Sequence, residues 1–562
     1  MTPLEIIVNF LKKQGIEYLS CFPTTNMIEA ASKAGIRPIV CRQERVGVGI
    51  ADGYSRVTNG APPGVFAMQY GPGAENAYSG VSTAFSDSVP VLLLPLGNSE
   101  DREGVSPLYS SVASFASVTK RVERINSSAR ISEVMRRAMA ALRQGRPGPV
   151  MVEIPVDILK DQVDPSTLAD LSINPTRSQG NPSDIEAAAR ALCDARRPIV
   201  HAGQGVLYAE ASNELAELAE LMSLPVMTTV LGKSAFPENS PLSLGSGTEQ
   251  SIPRKLHHFL QRSDLVFGIG CSFTKHGMSM PIPSGKTLIH ASNDPGDINK
   301  DYDVEFPIIG DAKLVLRQLI DACRDLVGEN GRQNQAVIEE IASVDRSWFS
   351  DWSRKLTSRE RPINPYRVIS EFMQIVDPDD AIVTHDSGNP RMQMMPFYRA
   401  GGPRSYIGWG KSHGLGTGLG LIIGAKLARP DKTCVNFMGD AAFGMVGLDF
   451  ETAVRNRIPI ITIVLNNSGM ASEGRSMPVA DNSYRVAELG GNYSEVARAM
   501  GGYSERIEDP AEIADSINRA VRVSEERGEP ALLEFVTAQE TDWSWRGSET
   551  MMGTAAGDFK PS

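Results

Sequence analysis

The chain has 562 residues, which is too long for one hydrophobic core and predicts two to four domains. Hydrophobic residues make up 41% and charged residues 22% of the chain, as is ordinary for a soluble globular protein. The formal net charge of −11 at pH 7 argues against a nucleic-acid-binding protein, which would carry a basic patch or stripe.

The N-terminal residues, MTPLEIIVNFLKKQGIEYL, carry charges inside an apolar run and predict an amphipathic helix, not a signal peptide. No stretch of the sequence approaches the roughly 18 uninterrupted apolar residues that a membrane span needs. The six scattered cysteines include no CxxC pair. We therefore expect reduced thiols in a cytoplasmic protein without nucleic-acid or membrane partners.

Apolar runs bounded by glycine or proline alternate with helical patterns along the chain. The runs include PGVFAMQY, VPVLLLPLG, GPVMVEIP, RPIVHAG, LPVMTTV, SDLVFGIG, KTLIHAS, DAIVTH, KTCVNFMGD and IPIITIVLNN. Helical segments such as SEVMRRAMAALRQG and AEASNELAELAELMS separate them. This alternation predicts an α/β fold of doubly wound parallel sheets wrapped by helices.

The runs fall into three groups, which predict domains at 1–165, 185–330 and 360–540. A polar linker at about 160–184 separates the first two groups, and a polar helical segment precedes the third. The tail, 541–562, has no periodicity, so it is either a disordered end or a flap.

Polar side chains follow two of the apolar runs in the third group. Asp440 ends VNFMGD, and Asn467 ends ITIVLNN. Ligands bind beyond the carboxyl ends of the strands in open parallel sheets. The two side-chain oxygens and the Gly469 carbonyl therefore predict a Mg²⁺ site, since Mg²⁺ favours oxygen ligands and phosphate. The glycine-rich GLGTGLG (414–420), which leads into a helix, fits a bound phosphate nearby.

The motif GDAAFG, followed 27 positions after its aspartate by the second asparagine of NN, resembles the metal–diphosphate motif of thiamine-diphosphate (ThDP) enzymes. The resemblance implies that Asp440, Asn467 and the Gly469 carbonyl hold Mg²⁺, which in turn holds the cofactor's diphosphate. It also implies a pyrimidine-binding first domain, a central domain and a diphosphate-binding third domain.

The segment CRQERVGVGIADGYSRVTNG is similar to the HE…A.GYAR..G motif of the same family, with Gln43 in place of the usual histidine. The resemblance implies that Glu44 contacts the aminopyrimidine ring and promotes ionisation of the cofactor's ring carbon. It further implies a bulky residue that props the cofactor, for which the position points to Leu415. The other cofactor-binding residues that it implies are Pro72, Asn76, Ser387, Gly388, Asn389, His413, Gly414, Gly439, Ala441, Ala442 and Met470.

Two subgroups of the family compete for the reaction. The pattern GDxAFGxxGxxxET, the run Pro23-Thr24-Thr25-Asn26 and the segment GQGVLYA resemble oxalyl-CoA decarboxylases and 2-hydroxyacyl-CoA lyases. The segments DSVPVLLLPLG and LIHASNDPGDINKDY resemble acetolactate synthases. We prefer the first reading, which makes the substrate a CoA thioester, and keep an acetolactate-synthase-like carboligase of 2-oxo acids as the alternative. A non-catalytic ThDP-binding protein is the third reading, against which an intact Glu44 argues.

Several further residues are candidates for the substrate side. Glu473, which follows the metal loop, is a proposed proton donor or acceptor. Arg404, and Arg546 and Ser548 in a closing tail, are candidates for meeting a phosphate or pantetheine group.

The resemblance also carries expectations for the central domain and for assembly. Family members hold FAD or ADP on an arginine and an acid, whereas the matching positions here are Ser272 and Ser292. We therefore expect a weakly occupied or empty nucleotide site. In the family the glutamate and the metal motif come from different subunits, which implies a homodimer or homotetramer.

Overall fold

The computed structural model describes residues 1–165, 173 and 176–544. These residues form three six-stranded sheets in which neighbouring strands run parallel, with helices on the faces. The predicted α/β fold with three doubly wound domains is confirmed, and all ten apolar runs quoted above contain strands. Arg546, Ser548 and the rest of the tail from residue 545 lie outside the described residues.

The first sheet belongs to the N-terminal part of the chain. Its strands are β1 (Tyr18–Phe22), β2 (Arg37–Val40), β3 (Gly64–Met68), β4 (Val91–Gly97), β5 (Arg121–Arg124) and β6 (Val150–Pro155), in the order β2-β1-β3-β4-β6-β5. Its helices are α1 (Pro3–Lys13), α2 (Thr25–Lys33), α3 (Glu44–Val57), α4 (Pro72–Ser86), α5 (Ser111–Phe115) and α6 (Ile131–Arg143). The side chains of Thr2 and Glu5 form a capping box that fixes the start of α1.

The second sheet belongs to the central part. Its strands are β7 (Pro198–Ala202), β8 (Val226–Thr228), β9 (Ser243–Ser246), β10 (Leu265–Ile269), β11 (Thr287–Ser292) and β12 (Phe306–Ile309), in the order β12-β11-β10-β7-β8-β9. Its helices are α7 (Pro182–Asp194), α8 (Gln204–Tyr208), α9 (Ser212–Met222), α10 (Arg254–Arg262) and α11 (Ala312–Val327). The polar helical segment that follows forms α12 (Gln335–Leu356).

The third sheet repeats the connectivity of the first. Its strands are β13 (Ala381–His385), β14 (Tyr406–Ile407), β15 (Thr433–Gly439), β16 (Ile460–Asn466), β17 (Tyr503–Ile507) and β18 (Ala531–Val536), in the order β14-β13-β15-β16-β18-β17. Its helices are α13 (Pro365–Ile375), α14 (Asn389–Phe397), α15 (Thr417–Ala428), α16 (Asp440–Val446), α17 (Phe450–Asn456), α18 (Ala471–Ser476), α19 (Pro478–Tyr484), α20 (Tyr493–Ala499) and α21 (Ile513–Arg527). If the strands of each sheet are numbered from one to six along the chain, the first and third sheets both have the order 2-1-3-4-6-5.

The two outer domains pack through helices α3 and α15, which meet at glycines. A Cβ atom added at Gly53 would stand 2.0 Å from the Leu421 carbonyl oxygen, and one added at Gly424 would stand 2.0 Å from the Ile50 carbonyl oxygen. Only glycine permits backbones to approach this closely. The glycines therefore set the distance between the two outer domains.

A buried ion network also joins these domains. Arg56 of α3 forms ion pairs with Asp52 and Asp87, and its Nη1 donates to the Gly408 carbonyl at 3.0 Å. Asp87 in turn accepts the backbone N–H of Gly410 at 3.3 Å. The chain around 408–411 is thus held by charged groups of the N-terminal domain.

Within the described part of the chain, every helix is too short or too polar to cross a bilayer. The six cysteines, all of them in described residues, form no disulfide with one another.

Candidate functional site

Asp440 and Asn467 converge on one backbone amide. Asp440 Oδ2 and Asn467 Oδ1 accept the N–H of Gly469 at 3.0 and 3.1 Å. Asp440 is only 3% exposed, and burial raises its pKa to about 6, against hydrogen bonds from the Ala441 and Gly469 N–H groups. The predicted residues Gly439, Ala441 and Ala442 lie at this junction of β15 and α16. The structure therefore gathers two side-chain oxygens at the carboxyl edge of the third sheet.

A second pair of polar side chains supports the loop that carries Asn467. Asn466 Nδ2 donates to Glu534 Oε1 at 2.7 Å, and Asn466 Oδ1 accepts the N–H of Ser468 at 3.0 Å. Ser468 lies in the left-handed region with a φ of 57°, so this turn needs such support. The sequence analysis missed Glu534, although an acid inside the apolar run ALLEFV was a visible signal.

Asp386 organises the glycine-rich loop. Its Oδ1 accepts the N–H groups of Ser387 and Gly416 at 2.8 and 2.9 Å, and its Oδ2 accepts that of Gly418 at 2.9 Å. The carboxyl group is fully buried, and burial raises its pKa to about 6. The sequence analysis missed Asp386, although it follows the run DAIVTH as Asp440 follows VNFMG.

The predicted segment Ser387–Asn389 lies beside the Asp440 loop. Gly388 has a φ of 84°, which lets the chain turn from β13 into α14. A Cβ atom added at Gly439 would stand 4.0 Å from Pro390 Cγ. The Asn389 side chain is engaged elsewhere, because it accepts the Trp543 indole N–H at 3.3 Å and donates to the Glu540 carbonyl at 3.4 Å.

The predicted residues His413, Gly414 and Leu415 form the turn before α15. His413 Nδ1 lies 2.6 Å from the Gly410 carbonyl oxygen. The Leu415 side chain is half-buried and packs against the core between the outer domains. Across the turn, the ring centroid of His276 from the central domain lies 5.4 Å from that of His413.

Glu44 begins helix α3 and is 5% exposed. Burial raises its pKa, while backbone and Asn76 hydrogen bonds oppose the rise. Its Oε1 would lie 3.7 Å from a Cβ atom added at Gly73, so it faces the start of α4, where the predicted residues Pro72 and Asn76 lie. The next residue points elsewhere, since Arg45 Nη2 would lie 3.1 Å from a Cβ atom at Gly416.

Three further predicted residues, Arg404, Glu473 and Met470, take no part in the hydrogen bonds described so far. Arg404 Nε donates to Asn59 Oδ1 of the N-terminal domain at 2.7 Å. Its guanidinium lies 4.8 Å from the ring centroid of Tyr208 in the central domain, so the charged group already has partners in both domains. Glu473 is exposed in the first turn of α18. Met470 precedes that helix, and its N–H donates to the Ala487 carbonyl at 2.8 Å. The proton-transfer role of Glu473 stays a prediction.

A cavity of about 320 Å³ lies between the central domain and the N-terminal domain. Ser272 and Ser292 line it, as do charged residues from other positions: Arg143, Arg146, Arg177, Asp297 and Asp311. Arg146 forms ion pairs with Asp294 and Asp297. The expectation of a weakly occupied or empty nucleotide site stays a prediction: the two motif positions are serines, and the cavity takes its arginines and acids from other positions.

Three family models match the chain, and their ranges follow the three sheets. The thiamine pyrophosphate enzyme N-terminal TPP binding domain matches residues 1–117. The central domain of the same enzymes matches residues 185–319, and their C-terminal TPP binding domain matches residues 386–535. Together the three models cover more than half of the chain.

Similar curated proteins align along nearly the whole chain. The chain is 29% identical to the probable acetolactate synthase large subunits of Methanococcus aeolicus and Methanocaldococcus jannaschii, with 95% of this chain and 92% of each relative covered. It is 28% identical to the acetolactate synthase isozyme 3 large subunit of Escherichia coli, with 92% of both chains covered. The sheets, the gathered oxygens and the three matching models agree, and the chain belongs to the family of thiamine-diphosphate-dependent enzymes.

Proposed function

We propose that the chain catalyses the ThDP- and Mg²⁺-dependent condensation of two 2-oxo acids, with pyruvate as the simplest substrate. Two pyruvate molecules would give one acetolactate and one CO₂. The observation that carries this proposal is the end-to-end similarity to relatives named acetolactate synthase. The matched length includes all three domains, so the relatives share the whole architecture and not only the cofactor-binding parts.

The donor set fits a hard divalent cation. Asp440 and Asn467 each present a side-chain oxygen to the Gly469 amide, and Mg²⁺ prefers such oxygens. Asp440, Asn467 and the Gly469 carbonyl would hold the ion. The ion and the N-terminal end of α15, into which the glycine-rich loop leads, would hold the diphosphate.

Bound ThDP would supply a ring carbon that acts as the nucleophile toward a carbonyl. Glu44 would hold a proton at the pyrimidine ring, and its burial suits this role because a raised pKa favours sharing a proton. Asn76, which hydrogen-bonds the Glu44 carboxylate, would orient it. Glu44 begins α3 and Asn76 lies in the first turns of α4, so the starts of two helices would hold the pyrimidine end of the cofactor.

A second copy of the chain completes the proposed site. Glu44 faces Asn76 and Gly73, whereas its neighbour Arg45 faces the glycine loop of the same chain. Among the described residues, the contacts of the Glu44 carboxylate are thus with α4 and not with the glycine loop, which supports a homodimer in which Glu44 meets the glycine loop of the other copy.

The acyl-CoA reading, which the sequence analysis prefers, is not carried forward as the main proposal. The relatives reported above are named acetolactate synthase, so the comparisons favour the alternative reading. Arg546 and Ser548, the tail residues that supported the CoA reading, lie outside the described residues. Arg404, its other basic candidate, is held by Asn59.

The test is a product assay with purified protein, ThDP and Mg²⁺. We expect acetolactate and CO₂ in equal amounts from pyruvate alone. A matched incubation with a 2-hydroxyacyl-CoA thioester should release no aldehyde. Thioester cleavage without acetolactate formation would contradict the proposal and restore the acyl-CoA reading.

A further inference from the structure

Arg391 is a buried arginine that forms no ion pair with any of the described residues. It lies in the first turn of α14 and is 3% exposed. Its Nε and Nη1 atoms are buried and have no hydrogen-bond partner among the described residues. A buried charge without a partner is costly, and native proteins keep one where a ligand supplies the partner.

The two carboxylates nearest to Arg391 are committed to other groups. Asp386 accepts three backbone N–H groups. Asp87 is ion-paired with Arg56 and accepts backbone N–H groups of the 410–411 turn. Both acids raise the pKa of Arg391 from a distance, but burial dominates and lowers it to about 10. The protein therefore leaves the guanidinium ready for an external anion.

Further basic groups lie in the same region as Arg391. The pKa of His276 is lowered, first by burial and then by the charges of His413 and Lys411, with Arg391 adding a smaller part. Asp87 opposes this shift. Basic groups whose nearby carboxylates, Asp87 and Asp386, are already bonded to other groups favour binding of an anion.

The direction of the Arg391 side chain separates this cluster from the proposed diphosphate site. Pro390 lies against Gly439 at the start of the Asp440 loop. Arg391 faces the opposite turn, because its Nη1 would stand 2.6 Å from a Cβ atom at Gly410. Two successive residues of α14 thus contact different segments, Pro390 the start of α16 at Gly439 and Arg391 the turn at Gly410.

We propose that Arg391 binds the carboxylate of the 2-oxo acid substrate, with His276 and His413 at the rim of the same subsite. The guanidinium matches a planar carboxylate through two parallel hydrogen bonds. This inference rests on the proposed function for the identity of the acid. Arg404, the arginine that the sequence singled out, is by contrast already held by Asn59 and Tyr208.

The test compares Arg391→Met and Arg391→Lys with a matched control, Arg137→Met. Arg137 is a half-buried arginine of α6 that is ion-paired with Glu123 and Glu133. We expect Arg391→Met to raise the KM for pyruvate at least tenfold while the dissociation constant for ThDP, from isothermal titration, changes less than twofold. Arg391→Lys should recover part of the loss, and the control should leave both constants unchanged.

Thermal melting of the ligand-free protein separates a binding role from a structural one. Because the Arg391 guanidinium has no ion-pair partner in residues 1–165, 173 and 176–544, Arg391→Met should melt at the same or a higher temperature than the wild type. A lower melting temperature with an unchanged KM would overturn the proposal. Weaker ThDP binding with an unchanged KM would assign the arginine to the diphosphate and overturn it as well.

A direct binding measurement keeps the inference testable if no acetolactate forms. Pyruvate is titrated into wild-type and Arg391→Met protein, each loaded with ThDP and Mg²⁺. Saturable binding that only the wild type shows would support the carboxylate subsite even if the proposed reaction fails. Equal binding by both proteins, or binding by neither, would reject the subsite.

Discussion

Asp449 Oδ1 accepts the backbone N–H of Arg42 at 2.7 Å, and this bond joins the third domain to the chain two residues before Glu44. The same oxygen accepts the Thr452 hydroxyl at 2.9 Å. Asp449 is buried, and burial raises its pKa to about 6. The position of the proposed catalytic carboxylate is therefore tied to a titrating group in the other outer domain.

The raised pKa of Asp449 predicts a pH-dependent loss of stability. The folded state favours the protonated form of Asp449. Its contribution to the free energy of unfolding is therefore fully present below about pH 4, where the unfolded chain is also protonated. This contribution is lost as the pH rises through about 6. Asp449→Asn mimics the protonated form and keeps an Oδ1 acceptor. Relative to wild type, the variant should gain about 2 kcal/mol in free energy of unfolding between pH 4 and pH 7. Urea titrations at several pH values check this, with the exposed Asp321→Asn as control; a parallel response of both variants would contradict it.

The close contact of α3 and α15 predicts that Gly53→Ala destabilises the protein. Alanine favours a helix over glycine by about 1 kcal/mol, but its Cβ would stand 2.0 Å from the Leu421 carbonyl oxygen. Separating the helices should cost more than this gain, for a net loss of about 1–3 kcal/mol. The matched control is Gly402→Ala, whose Cβ would meet nothing within 4 Å. Thermal melting measures both; equal melting temperatures would show that the helix contact is dispensable.

The proposed metal site predicts that Asp440→Asn weakens ThDP binding. Loss of one anionic ligand should lower the affinity at least tenfold and abolish its dependence on Mg²⁺. Isothermal titration with and without Mg²⁺ provides the measurement. The exposed Asp431→Asn, which also removes one carboxylate from the third domain, is the control. An affinity that still rises with Mg²⁺ in Asp440→Asn would place the metal elsewhere.

The burial of Glu44 predicts that Glu44→Gln reduces turnover far more than cofactor binding. The amide keeps the size and the contact with Asn76 but cannot exchange a proton, so turnover should fall at least about 100-fold. The dissociation constant for ThDP should change only a few-fold. Glu75→Gln, an exposed acid in the first turn of α4, should behave as wild type in both measurements. Wild-type turnover in Glu44→Gln would remove the glutamate from the proposed mechanism.

The sequence allowed the gathering of Asp440 and Asn467 to be predicted because both follow long apolar runs. The carboxyl ends of neighbouring parallel strands meet at one edge, so the pattern along the chain predicts proximity in space. Asp386 also follows an apolar run that forms a strand, so the same reasoning predicts that it lies at this edge of the sheet. Short strands such as β14, with two residues, carry too few positions to show a pattern.

The proposed subsite of Arg391, His276 and His413 could not be predicted from the sequence, for a physical reason. Two buried guanidinium nitrogens of Arg391 have no hydrogen-bond partner among the described residues, and a missing contact has no signature along the chain. The cavity residues Arg143, Arg177 and Asp311 were hidden for a related reason, since they come from segments far apart in sequence. Motif positions alone, such as Ser272 and Ser292, therefore gave an incomplete view of its charge.

The shared strand order of the outer sheets makes the two outer domains topological copies. Helix α3 follows the second strand of the first sheet, as α15 follows the second strand of the third, and α4 and α16 follow the two third strands. The helix after the third strand begins with Pro72 in the N-terminal domain and with Asp440 in the third domain. The backbone differs before the two helices, with a φ of 62° at Gly71 and −85° at Gly439, so one strand order carries two different turns at equivalent places.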